Sequence, residues 1–487
     1  MSKFNAAAEI PMTTNHEGHI AYQMPEKEKL VTQVLTSFFN ENKFYGDNSG
    51  EIEKTILNVI QKDPEFISNL AMFARREFNM RSVSHVLTAY LAHEENGKPY
   101  VKKTVKNIVL RGDDATEILA FYLSKFGKPI PNSLRKALRD IFMTFDPYAL
   151  AKYKGEGKTV KMRDILCLCH PSPKDQEQSD TWKKLLEGKL EPAYTWETEL
   201  SEKGNTREVW ESLIDSGRLP YMAMLRNIRN IWNCSPKNID LVAEHISDPE
   251  AVRHSRQLPF RYLSAYRSLT ECTSERYADK AFTTLLEALE KAADVSVDNI
   301  PKIPGKTVIA IDVSGSMECA VSRNSNIQCC DISMLLGVIA NRICEESIVY
   351  TFNHSILPIF IPKRDGILGT AARLATCYGG TNMHLPFEQL MKNKIDCDRV
   401  IIISDNECNS RYEEPVASIA DQYRRLTGNN IWVHAIDLQG YGTQQFAGAR
   451  TNVIAGWSEK VFEFISLAER GTESLMKRIS AYSPKAG

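Results

Sequence analysis

The chain has 487 residues, 43% hydrophobic and 25% charged, close to the averages of soluble globular proteins. That excludes a disordered or collagen-like chain and leaves room for about three ordinary domains or two large ones. Sixty Lys and Arg balance sixty-one Asp and Glu for a net charge of −1, which excludes a histone-like polycation but not a local basic face. Eleven cysteines, none before Cys167 and none in a C-x-x-C pair, do not form a secreted disulfide framework or a zinc ribbon. They read as reduced, buried thiols. Cys167, Cys169 and His170 lack the second ligand pair that zinc needs. The first residues hold no apolar signal-peptide core, and runs such as Met334–Ala340 fall far short of the ~20 residues that span a bilayer. A cytoplasmic protein with no membrane association is the expectation.

From about residue 25 to 295 the chain reads as helix after helix. Apolar residues recur at three- and four-residue spacings over Lys29–Phe39, Glu51–Ile60, Pro64–Phe78, Arg81–Glu94, Tyr100–Val109, Ala115–Lys125, Asn132–Phe145 and Met162–Cys169. The pattern resumes over Val209–Ser216, Tyr221–Trp232, Asn238–Ser247, Arg261–Thr270 and Arg276–Ala293. This is the signature of amphipathic helices. Gly97-Lys98-Pro99, Gly127-Lys128-Pro129 and Gly155-Glu156-Gly157 punctuate them. The rhythm is that of HEAT-like helical repeats, although the repeats are not self-similar in sequence.

The grammar changes at the Pro- and Gly-bearing segment near Val297–Gly305. Thr307–Val313, Ser347–Phe352, Arg399–Ser404 and Asn430–Asp437 are short Ile- and Val-rich runs. They alternate with helical stretches at Asp331–Glu346, His384–Met391 and Pro415–Thr427. Nearly all-apolar strands alternating with helices predict a parallel sheet covered on both faces, a doubly wound α/β domain. Two domains follow, residues 1–300 and 301–487.

In such a sheet, ligands collect at the carboxyl ends of the strands. The first strand ends in Asp312-Val313-Ser314-Gly315-Ser316, one carboxylate and two hydroxyls of the kind a hard cation prefers. Thr381, after Gly379-Gly380, and Asp405, straight after the run Val400–Ser404, supply two more oxygens. Asp312 capping a turn and the serines capping a helix is the plainer reading of the first motif alone. The added loops favour a divalent cation, Mg²⁺ above all, because few carboxylates with several hydroxyls leave positions for water. Glu407, His384 and Asp331 are the nearby candidates for a general base and read better as supporting residues, so the expectation is a protein that is not an enzyme.

The neutral total hides a basic window. Between Lys98 and Arg163 fifteen Lys and Arg face six Asp and Glu, a net of +9. The window includes Arg135, Arg139, Lys152, Lys154, Lys158, Lys161 and Arg163. Such a surface can follow a phosphate backbone. His170, ending a short helix, could stack on an unpaired base. Lys154 and Lys158 fall around Gly155 and Gly157, read as a mobile loop.

Leu219-Pro220-Tyr221-Met222-Ala223-Met224-Leu225-Arg226-Asn227-Ile228-Arg229-Asn230 resembles the most recognisable segment of the TROVE module. Phe44-Tyr45, Leu70–Arg76 through Met80-Arg81, Gln257–Arg261 and Ile165–Pro171 are similar to other parts of it. Asp312, Ser314, Ser316, Thr381 and Asp405 resemble the metal-ion-dependent adhesion site of von Willebrand factor A domains. A TROVE module followed by an A domain is similar to the Ro autoantigen family over nearly the whole chain. That resemblance implies a HEAT-like helical-repeat ring followed by a Rossmann-like A domain, in a ribonucleoprotein component of RNA quality control. It implies as partners small Y-type RNAs and misfolded or structured non-coding RNAs with single-stranded 3′ ends, with an exoribonuclease working beside bacterial members. By motif position it carries Lys152 and His170 over as RNA contacts; the remaining basic residues rest on charge alone. Asn382 stands after Thr381 where the family often has an acid, which leaves the five ligand positions intact. The rival reading is a metal-dependent adhesion scaffold that grips an acidic protein partner through the A domain.

Overall fold

The computed structural model describes residues 11–15, 18–36, 50–271, 279–298, 300–320, 327–409, 414–456, 460–469 and 475–484. Phe44-Tyr45, the end of the helix expected over Lys29–Phe39 and the start of that over Arg276–Ala293 lie outside the described residues. The chain divides into two compact units, Met1–Asn40 with Asn205–Ser474, and Glu41–Gly204 with Leu475–Gly487. The change of grammar near residue 300 separates two kinds of secondary structure, whereas the compact units divide the chain elsewhere.

The smaller unit is helical among its described residues. Its helices include Gly50–Lys62, Pro64–Glu77, Ser82–His93, Val101–Ile108, Gly112–Phe126, Asn132–Phe142, Pro147–Lys152, Met162–Cys169 and Gln176–Leu186. Local chemistry sets several starts. Asp63 and Asp146, each followed by proline, accept the backbone N–H of Phe66 at 3.0 Å and of Ala149 at 2.6 Å, satisfying donors that a helix N-terminus leaves open. Phe66, Ile67, Leu70 and Phe73 form a buried stripe. The helix Leu475–Ser480 returns to this unit: Asn69 donates to the Ser480 carbonyl at 2.8 Å, and Tyr482 donates to Glu77 at 2.9 Å.

At the centre of this unit sits a buried charge cluster. The Asp114 carboxylate is fully buried and accepts from Arg75 at 3.0 Å, from Arg81, from His85 at 3.1 Å and from the backbone N–H of Leu110 and Arg111. Burial alone would raise its pKa, but His85, Arg75 and Arg81 outweigh burial and hold it well below the usual carboxylate range. Arg75 and Arg81 are two of the motif residues noted above, and their role here is to hold the helices together.

In the larger unit, helices from Arg207–Asp215 to Lys280–Val297 precede a six-stranded sheet. The helix expected over Tyr221–Trp232 is two, Tyr221–Arg226 and Ile228–Cys234, because Asn227 leaves helical geometry at φ −102° and ψ 9°. The strands β3 (Ile303–Asp312), β4 (Cys344–Phe352), β5 (Ile356–Ile359), β6 (Arg399–Ser404), β7 (Trp432–Asp437) and β9 (Thr451–Ala455) take the order β5-β4-β3-β6-β7-β9. All neighbours are parallel except the edge strand β5, which is antiparallel to β4. Val308, Ala310, Val400, Ile402, Val433 and Ala435 point into one buried layer with Phe352, Phe387 and Tyr423, the two-sided burial that all-apolar strands require.

Near the amino terminus, β1 (Met12–Thr14) and β2 (Ile20–Gln23) form a hairpin that β8 (Thr443–Gln444) extends. The helices before the sheet pack against helices Cys329–Ile343 and Ile367–Leu374. Arg267 pairs with Asp331, Arg342 with Asp294, and Glu290 accepts the N–H groups of Leu368 and Gly369.

The cysteines depart from expectation. Cys330 and Cys377, 47 residues apart, form a disulfide with a Cα–Cα distance of 6.5 Å. The fold brings the start of helix Cys329–Ile343 beside the segment after helix Ile367–Leu374, a proximity that spacing alone does not reveal.

Candidate metal centre and nucleic-acid interface

The three loops expected to hold a cation meet at the carboxyl ends of β3 and β6. The Gly315 N–H donates to the Gly379 carbonyl at 2.8 Å, and the Tyr378 N–H to the Val313 carbonyl at 2.9 Å, lacing the Asp312–Ser316 loop to the Gly-Gly-Thr loop. Gly379 has a φ of +78°, and any side chain at this position would run into His354. Asn409 fixes the second loop by accepting the Thr381 N–H at 2.7 Å, and Thr381 is buried.

Asp312 and Asp405 are both fully buried. The Ser314 N–H donates to Asp312 at 2.8 Å and the Ser404 hydroxyl to its other oxygen at 2.6 Å. The Ser314 and Ser316 hydroxyls lie 3.1 Å apart. The Oδ2 atom of Asp405 is buried without a hydrogen-bond partner among the described residues. Burial first, then the neighbouring Asp405 charge, pushes the Asp312 carboxyl up; burial does the same to Asp405. Two buried carboxylates, both pushed up by burial and one with an orphaned oxygen, suit a cation. Mg²⁺ bound here would be held by Asp312, Ser314, Ser316, Thr381 and Asp405 and would present a Lewis-acidic position to a partner oxygen. Among the described residues no cluster of three His, Cys, Asp or Glu is placed for a metal.

Two of the three candidate bases, Asp331 and His384, hydrogen-bond within the fold. Asp331 pairs with Arg267 and accepts the Gln328 N–H at 2.8 Å. His384 is buried with Nε2 3.3 Å from the Glu414 carbonyl, and burial lowers its pKa. The Glu407 N–H donates to Asp405 at 3.2 Å. Sequence reasoning passed over Ser404, the residue that orients Asp312. Its place immediately before Asp405 at a strand end is the available signal.

All eight candidate RNA-contacting residues lie in the smaller unit. Lys152 Nζ sits 5.7 Å from the ring centres of both Tyr148 and Tyr153, and the Arg111 guanidinium lies 5.4 Å above Tyr153. Gly112 admits Tyr153 so closely that a Cβ there would stand 2.8 Å from its ring. Helix Asn132–Phe142, which carries Arg135 and Arg139, packs against helix Met162–Cys169. His170 caps helix Met162–Cys169 in the left-handed conformation, φ 48°, with its side chain exposed. Arg163 is exposed on the same helix.

The segment Lys154–Lys158, expected as a mobile loop, is tied back by hydrogen bonds: Lys158 N–H donates to the Gly155 carbonyl at 3.0 Å and Met162 N–H to the Lys154 carbonyl at 3.2 Å. Part of the charge excess is neutralised locally by Lys154–Glu156 at 2.7 Å, Lys158–Glu117 at 2.6 Å and Lys102–Asp140 at 2.8 Å, with Arg139 also on Asp140. Exposed pairs of this kind are worth ~0–1 kcal/mol each, so a phosphate can displace the acid. The cation–aromatic cluster was also missed, since Tyr148, Tyr153 and Arg111 meet only through the fold.

The TROVE domain family matches residues 25–188 and 181–299, and the Ro60 vWA domain family matches 306–450. Telomerase protein component 1 of Rattus norvegicus is 30% identical over 325 residues, 49% of this chain and 12% of that protein. RNA-binding protein RO60 of Deinococcus radiodurans is 23% identical over 231 residues, and that of Caenorhabditis elegans 26% over 249 residues. These matches cover 45% and 49% of this chain, and 43% and 38% of the respective relatives. The chain thus spans less than half the length of the curated relatives it matches. The crystal structure of the Deinococcus radiodurans RO (RSR) protein has the same fold, with a TM-score of 0.60 at 18% identity over 86% of this chain and 93% of that one. With more than half of its residues inside the TROVE match, and the A-domain match directly after, the chain belongs to the TROVE-domain family and carries a Ro60-type von Willebrand A domain.

Proposed function

We propose that this protein is an RNA-binding ribonucleoprotein component that works by binding rather than catalysis. The observation that carries the proposal is the surface around Pro147–His170, where Lys152 lies against two tyrosine rings and the helix that His170 ends packs on the one carrying Arg135 and Arg139. Cations neutralise phosphates, while aromatic faces and an exposed imidazole accept unstacked bases. Relatives named as RNA-binding proteins support the same reading. The RNAs we assign are small structured Y-type RNAs and misfolded RNAs offering a single-stranded 3′ end, handled in the cytoplasm for quality control, with an exoribonuclease as the partner that would consume the rejected ones. Among the described residues no helix is long and apolar enough to cross a membrane.

The test is a gel-shift titration of duplex RNA with and without a 3′ single-stranded tail at two salt concentrations, scoring cleavage on the same gels. Tail-dependent, salt-sensitive binding of intact RNA is expected. Lys152→Glu with Lys154→Glu should weaken it at least tenfold; unchanged affinity would remove these residues from the site. A second reading rests on the orphaned Asp405 oxygen: Mg²⁺ at the A domain gripping a carboxylate of an acidic protein partner. Its mark is a protein interaction that EDTA abolishes.

A further inference from the structure

Beside the candidate metal loops lies a group of four cysteines that neither reading uses. Cys330 and Cys377 are joined, and Cys319 and Cys329 place their sulfurs 3.0 Å apart. That is about one ångström more than a disulfide bond of about 2.05 Å. The approach is built by the backbone. The Cys329 N–H donates to the Cys319 carbonyl at 3.0 Å, and Ala320 and Gln328 form an antiparallel bridge just inside the pair. Gln439 Nε2 lies against both sulfurs, at 2.6 and 2.7 Å. Cys319 is half-buried and Cys329 fully buried, so one thiol can meet a reagent and the other can only meet its neighbour.

We propose that Cys319 and Cys329 form a redox-modification site, oxidised to a second disulfide by small-molecule disulfides of the glutathione type. Cys319, as thiolate, attacks one sulfur of the oxidant; that S–S bond breaks, one thiol leaves and Cys319 carries a mixed disulfide. Cys329 then attacks the Cys319 sulfur, its proton going to solvent and then to the second departing thiol. Two protein thiols are oxidised and one oxidant disulfide is reduced to two thiols. The exposed cysteine as attacker and the buried one as resolver follow from access. The bond fastens the segment after the Asp312–Ser316 loop, where the Cys319 N–H reaches the Ser316 carbonyl at 3.4 Å, to the first turn of helix Cys329–Ile343.

The experiment equilibrates the full chain in mixtures of reduced and oxidised glutathione, blocks remaining thiols with iodoacetamide and maps tryptic peptides by mass spectrometry. Cys319 falls in peptide 307–323, Cys329 and Cys330 in 324–342, and Cys377 in 374–392. Oxidising mixtures should join all three peptides, with loss of two alkyl labels relative to the two-peptide species and free 307–323 taken together, and dithiothreitol should restore the labels. Cys329→Ser should release 307–323 while 324–342 and 374–392 remain joined. Cys319 that stays alkylated in every mixture that keeps Cys330–Cys377 joined would overturn the proposal. So would 307–323 remaining attached in the Cys329→Ser protein.

Discussion

The two compact units bury acidic side chains in opposite ways. In the helical unit, Asp114 is surrounded by Arg75, Arg81 and His85, and its carboxyl is held far down the pH scale. In the other unit, Asp312 and Asp405 stand at the strand ends, where their hydrogen-bond partners among the described residues are hydroxyls and backbone N–H groups, and both are pushed up. A buried charge is tolerable when its counter-charge is built in, and such a cluster serves the fold. A buried pair of like charges without one is costly to the fold alone and suits a cation from solution. Equal burial therefore carries different meanings, and the neighbours decide which.

The largest effect expected from that contrast is at Asp114. Asp114→Asn strands buried cations, so it should cost about 3–5 kcal/mol, read as a fall in denaturant midpoint; a loss under about 1 kcal/mol would refute the compensated cluster. Glu469 extends the comparison because it is a compensated acid in the unit that also holds the uncompensated pair. Burial would raise its pKa, but a hydrogen bond from His434 at 3.0 Å and the Arg399 ion pair hold it at about 2. His434 is itself buried with a lowered pKa, so it donates as a neutral imidazole and Arg399 supplies the charge.

A depressed carboxylate stabilises fully above its unfolded value and loses that contribution as pH falls through its folded value. Between about pH 4.5 and 2 the protein should lose up to about 3 kcal/mol through this group. Acid titration of Glu469→Gln should show a flatter loss over the same window, and an identical curve would sink the assignment.

Mg²⁺ comes next. At a hundred times its Kd it should stabilise the chain by about 2.7 kcal/mol, seen calorimetrically as a rise in Tm over the protein in EDTA. Asp405→Asn should abolish that rise; a full response in the variant would place the ion elsewhere. The smallest stability effect belongs to Lys158, whose pair with Glu117 is exposed. Lys158→Ala should change stability by less than about 1 kcal/mol yet lower the salt dependence of RNA affinity by about 0.7 in the logarithmic slope, the single-strand value for one phosphate contact. A larger destabilisation with an unchanged slope would make the pair structural instead.

Much of this was legible in the residues. The helical half, the parallel strands and the five oxygen donors of the candidate metal centre follow from local rules. Apolar spacing reports which face is buried, and strand ends in an α/β sheet collect ligands whatever the rest of the chain does. Asp312 and Asp405 are 93 positions apart, yet each is placed by its own strand, and the register of β3 against β6 brings the strand ends together. Helix boundaries at Pro64 and Pro147 are likewise written in an Asp-Pro pair.

Pairings between distant segments were not legible. The sequence carries no local mark that β1 and β2 join β8, that Leu475–Ser480 returns to the helices around Asn69, or that Cys330 meets Cys377. The same holds for the charges: a window of +9 says nothing about Glu117 and Asp140 standing beside its lysines, or about Tyr148 and Tyr153 beneath Lys152. Periodicity and capping are properties of neighbours along the chain, so the sequence by itself determined the elements and the donor types. Compensation of a buried charge, closure of a loop and the meeting of two thiols are properties of neighbours in space, and only the tertiary structure decided them.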